Sequence, residues 1–143
     1  MPDTTATFAA VAVTLYAGHQ LADHVLGQTD RQAREKTLPG WSGWRACLEH
    51  VAQYHLVLTV MLGAVWMVLA LPLSPLGVLA GLWVSGITHA LLDRRWPVRW
   101  LLQHTGSPEF ASPDHPLPGM YLADQATHIA CLWVAALIMV AVA

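Results

Sequence analysis

Four polar pairs at i, i+4 spacing are the residues of this chain best suited to chemistry. They are His19 with Asp23, His50 with Tyr54, His89 with Asp93, and Asp124 with His128. On an α-helix this spacing puts both side chains on one face, about one turn apart. Three of the pairs combine histidine with aspartate, two side-chain types that divalent metals share. The pattern predicts metal ligation by His19, Asp23, His50, His89, Asp93, Asp124 and His128. His19–Asp23 and His89–Asp93 carry the strongest signal as identical H-x3-D pairs, and Asp124–His128 is the same pair reversed. His24 and His55 each stand five residues from a ligand candidate, about 140° round the helix, so they belong to other faces. Glu49, Gln125 and Tyr54 are the candidates for a catalytic or orienting group, with Gln28 as a further orienting partner. His104 and His115 read as solvated loop residues.

The elements that must position these pairs are membrane spans. The chain is 55% hydrophobic and 11% charged, against about 25% charged in soluble domains. Its apolar residues gather in blocks, each long enough at about 1.5 Å per residue to cross a hydrocarbon core of about 30 Å. The expectation is an all-α, integral membrane four-helix bundle made of two helical hairpins in a single domain, 1–143. The helices are expected at about 5–26, 44–71, 76–94 and 120–142. A short interfacial helix falls at about 97–104, anchored by Trp100, and a proline-rich loop at 106–119.

All seven basic residues lie in or beside the first and third connections, while the second, around Pro72 and Pro75, is uncharged. The positive-inside rule therefore predicts a multi-pass protein of the cell membrane with both termini outside and the polar pairs cytoplasmic. Topology already accounts for the basic residues, so nucleic-acid binding is not expected. A cleaved signal peptide is not expected either, since no basic region precedes Phe8. Cys47 and Cys131 lack metal-type spacing and read as buried thiols. The faces bearing Trp66, Trp83, Trp133, Met61 and Met67 read as lipid-facing or packing surface.

GHQLADH in the first segment and THALLDR in the third share H-x3-D at the same end, which suggests a parallel internal repeat. Carboxylates and histidines at one depth in a membrane are costly unless paired, hydrated or metal-bound. The leading expectation is one or two divalent ions, zinc favoured with manganese or iron as alternatives. They would activate a water for hydrolysis of a lipid or small molecule, with the proline-rich loop as a lid. The alternative is a non-enzymatic protein whose polar layer carries protons or ions, or assembles with partners. Gly77 and Gly81 form a small-xxx-small pair suited to homodimerisation.

The spacing set resembles a family of small four-helix bacterial and phage integral membrane proteins grouped as a domain of unknown function. The residues that carry the likeness are His19 and Asp23, Gln28-Thr29 with Lys36, His50 with Tyr54, His89 with Asp93, and Asp124-Gln125 with His128. Gln28 stands one residue further from Asp23 than in that pattern. The layout is similar to that of membrane-embedded metal-dependent hydrolases, and that likeness implies a metal-dependent activity.

Overall fold

The computed structural model describes residues 3–142. Among them there are helices and no strands. The helices are α1 (Thr4–Leu21), α2 (Asp30–Glu35), α3 (Gly40–Val68), α4 (Pro75–Leu92), α5 (Trp96–His104) and α6 (Gly119–Ala141). A π turn, Ala22–Leu26, extends α1, and a 3-10 turn, Pro108–Ala111, interrupts the connection before α6.

Three helices are long and apolar enough to cross a membrane: Gly40–Val68, Pro75–Leu92 and Gly119–Ala141. The sequence expectation was four spans. α1 differs because its 18 residues include four threonines together with Gly18, His19 and Gln20. Two of those hydroxyls are satisfied within the helix, Thr14 donating to Ala10 O at 2.7 Å and Thr7 to Asp3 O at 3.1 Å.

Local chemistry sets the boundaries. α3 begins at Gly40, four residues before the expected start, because Pro39 caps it in an extended conformation and Gly40 adopts φ 76°. It ends at Val68, with Ala70 in the left-handed region (φ 46°) just before Leu71-Pro72, where proline disfavours helix. Ser74 caps α4 by accepting from Gly77 N at 2.9 Å, and Pro75 supplies the preset first turn. Thr29 and Gln32 form a capping box at α2.

α1 packs on α3 and α6, and α4 packs most extensively on α6. At one end of the helices the core is apolar, with Val11, Leu15, Leu58, Leu62, Ala135 and Met139 buried. Gly77 and Gly81 lie in this contact. A Cβ on Gly81 would stand 2.8 Å from Ala135 O, and one on Gly77 would stand 2.7 Å from Met139 O. The face read from sequence as a dimerisation surface is thus packed on α6 within the chain. Lipid supplies no hydrophobic drive between spans, so such close backbone approach is the natural source of association.

Candidate metal centre

The end of α1, the start of α3, the end of α4 and the start of α6 meet at the opposite end of the core, and each brings its polar pair. Asp23 sits in the π turn, a wider coil that recurs at functional sites. The turn closes with Gly27 N donating to Ala22 O at 2.8 Å. Gly27 passes so close to α3 that a Cβ on it would lie 3.2 Å from Tyr54 Cα. This approach delivers the Gly27 carbonyl to His50.

Asp23, His50, His89 and Asp93 form a buried group that could hold a metal ion, each offering one ligand atom within 4.8 Å of all the others. His50 Nε2 lies 3.0 Å from Asp23 Oδ1, 3.3 Å from Asp93 Oδ2 and 3.2 Å from His89 Nε2. His89 Nε2 is 3.3 Å from Asp93 Oδ2. A tetrahedral ion about 2.0–2.1 Å from each ligand separates its ligand atoms by about 3.3 Å. The four edges given above are close to that separation, and the two between Asp23 and His89 or Asp93 lie within 4.8 Å.

Hydrogen bonding decides which way these atoms face. His50 Nδ1 donates to Gly27 O at 2.7 Å, so Nδ1 carries a proton and Nε2 points into the cluster. Nε2 there meets two carboxylate oxygens and a second imidazole nitrogen. Such a meeting is repulsive unless a proton or a metal cation lies between them. Asp93 Oδ2 is buried and makes no hydrogen bond. This backbone-anchored histidine has the tautomer and orientation that metal sites impose.

Against known proteins, the chain matches no family model, no curated protein and no solved structure. Function has to be argued from the site itself.

The other candidates surround this group in distinct positions. Both ring nitrogens of His19 are engaged: Tyr54 OH donates to Nδ1 at 3.0 Å, and Nε2 donates to Gln125 Oε1 at 3.0 Å. Gln125 Nε2 in turn donates to Asp23 Oδ2 at 3.0 Å. Tyr54, His19 and Gln125 therefore form a chain that ends on the back of Asp23 and orients it. His128 Nδ1 donates to Asp124 O at 2.8 Å, which leaves its buried Nε2 with no hydrogen-bond partner, 3.9 Å from Asp93 Oδ1. Asp124 Oδ1 lies on the other side of that ring, 3.8 Å from Nδ1, and also has no hydrogen-bond partner. Gln28 Nε2 donates to Asp23 O at 3.1 Å.

Glu49 faces away from the cluster, held by Arg45 at 2.9 Å and by Arg31. His24 Nε2 accepts from Tyr121 OH at 2.8 Å, and His55 Nε2 contacts Ser85 Oγ at 3.1 Å. Cys47 is buried, its thiol donating to Ala90 O at 3.4 Å, while Cys131 is half-buried.

Lys36 is the functional neighbour that residue spacing does not reveal. Its ammonium is buried and donates to Asp93 Oδ1 at 2.8 Å. Arg94 clamps the lysine's segment by donating to Lys36 O and, at 2.6 Å, to Leu38 O, while its guanidinium sits 4.7 Å from the Trp44 ring. The segment that reaches the cluster is thus the first connection. The proline-rich connection walls a cleft beside α5.

Proposed function

We propose that the protein is a four-helix integral membrane metalloprotein, with α1 as the fourth span, that holds one divalent cation between Asp23, His50, His89 and Asp93 and uses it for hydrolysis. The observation that carries this reading is the His50 ring, pinned at Nδ1 and turning Nε2 toward two buried carboxylates and His89 Nε2. A mixed nitrogen and oxygen donor set favours zinc, with manganese or iron fitting the same chemistry. Positive-inside asymmetry supports a site on the cytoplasmic side with both termini outside.

A bound divalent ion supplies electrophilic polarisation of a carbonyl or phosphoryl oxygen and acidifies a water. The residues provide the rest. Gly27 and Gln125 orient His50 and Asp23. Lys36 balances the second oxygen of Asp93. His128 presents the one buried imidazole nitrogen left without a partner, and so is positioned to accept the proton of an attacking water. Asp23, Lys36, His50, His89, Asp93 and His128 are buried, which limits the access of bulk water to them, while Gln125 is half-buried.

Elemental analysis of detergent-purified protein after dialysis tests the reading. One equivalent of transition metal is expected in the parent and none in the His50→Ala, His89→Ala double variant. A parent protein free of metal, after growth and purification in metal-replete medium, would overturn it.

A further inference from the structure

A cleft of about 800 Å³ lies between α5 and the proline-rich connection, a volume within the range of ligand sites. Arg95, Arg99 and Gln103 recur every four residues and form the α5 wall. His115 and Tyr121 face them from the loop and the first turn of α6. No aspartate or glutamate lines the cleft. Neither Arg95 nor Arg99 makes an ion pair among the described residues, as is also true of Arg34 and Arg94, whereas Arg31, Lys36 and Arg45 do.

Two further observations point to a ligand. Arg95 holds the left-handed conformation, φ 59°, at the start of α5. An L-residue adopts it at a cost that glycine avoids, yet an arginine stands there, and its side chain lines the cleft. On the neighbouring face of α5, Trp96 and Trp100 are 62% and 56% exposed, as interfacial anchors at headgroup level are. An anchor of this kind favours a cleft at the depth where lipid phosphates lie. Guanidinium pairs one turn apart suit the planar, bidentate recognition of phosphate oxygens.

We infer that this cleft binds a phosphate group, Arg95 and Arg99 gripping its oxygens, and that the group belongs to a lipid headgroup. A route leads inward from it. Tyr121 lines the cleft and donates to His24, the neighbour of Asp23 in the chain, and Asp124 follows Tyr121 by one turn. That the bound phosphate belongs to the substrate rests on the hydrolase reading above; its binding does not.

The test uses the full chain in phosphatidylcholine nanodiscs doped with a photoactivatable phosphatidic acid. The label is expected on residues 106–121, and the Arg95→Gln, Arg99→Gln double variant is expected to lose it tenfold or more while keeping the parent's metal content. Mapping on the unaltered protein serves if that variant does not fold, since label confined to other segments overturns the inference. Equal labelling of parent and folded double variant also overturns it. Labelling abolished by millimolar inorganic phosphate overturns the headgroup assignment in favour of a phosphate site fed from solution; labelling that persists under phosphate supports the headgroup. A parent that labels as expected but carries no metal leaves the inference standing and defeats the metal reading.

Discussion

The Lys36 ammonium stands 2.8 Å from Asp93 Oδ1 while Asp93 Oδ2 faces His50 and His89, so one carboxylate serves a built-in cation and the metal cluster at once. Removing one partner of a buried ion pair leaves an uncompensated charge, at about 3–5 kcal/mol. Lys36→Met is expected to lower the melting temperature sharply in chelator. Bound metal then supplies the missing positive charge, and stabilisation by a ligand grows with its affinity for the folded state. The zinc-induced rise in melting temperature should therefore be larger in Lys36→Met than in the parent. An equal or smaller rise would show that lysine and metal do not share Asp93.

His19 and His89 occupy equivalent places in the two H-x3-D pairs, yet their surroundings differ. His19 has both nitrogens in hydrogen bonds, whereas His89 Nε2 faces the cluster. His89→Ala is expected to abolish stoichiometric metal. His19→Ala removes an orienting partner, for which losses of about 10–100-fold in affinity are usual. Competition with a chromogenic chelator separates the two, and loss of all metal in His19→Ala would make it a ligand.

This contrast shows how far the sequence could be read. Helical spacing brought the four pairs to one end of the helices, because each pair occupies a single turn and apolar blocks fix the direction of each helix. Spacing could not distinguish His19 from His89, since the difference lies in Tyr54 and Gln125, contributed by other helices. His50, expected as a ligand, and Tyr54, expected as an orienting or catalytic group, share a helix face, and the structure sends one to Asp23 and the other to His19. Lys36 is marked by the family resemblance alone, since helical spacing does not separate it from Arg31 and Arg34, and its contact with Asp93 depends on the fold of the first connection, which Arg94 clamps. The π turn at Asp23 has no periodic signature.

Glu49 illustrates the same limit from the other side. It adjoins His50 in sequence, but its carboxylate is turned outward to Arg31 and Arg45. Glu49→Gln is expected to leave metal content and turnover unchanged, as measured by elemental analysis and by hydrolysis of a chromogenic phosphodiester. A hundredfold fall in turnover would restore it as a catalytic candidate.

Gly81→Val tests the packing that positions the site. Its Cβ would meet the Ala135 carbonyl at 2.8 Å and the Met139 side chain. Overpacking of this kind typically costs about 1–3 kcal/mol. Because α4 and α6 carry His89, Asp93 and His128, separating them should weaken metal binding without touching a ligand. The expected result is a lower melting temperature together with weaker zinc affinity, and a drop in one without the other would uncouple packing from the site.

His128 is the last element of the argument. Its Nδ1 is committed to Asp124 O, its Nε2 is buried without a hydrogen-bond partner, and it lies outside the four-residue group. A ligand and a proton acceptor differ in what their loss removes. If His128 accepts a proton, His128→Asn should retain one equivalent of metal and lose turnover of the phosphodiester by about 10²–10⁴-fold, the usual contribution of a positioned acid or base. The residual rate should also lose one limb of its pH dependence, which a merely structural change would not remove. Loss of metal from His128→Asn would instead place its nitrogen in the coordination shell. Unchanged turnover with metal intact would remove His128 from the mechanism.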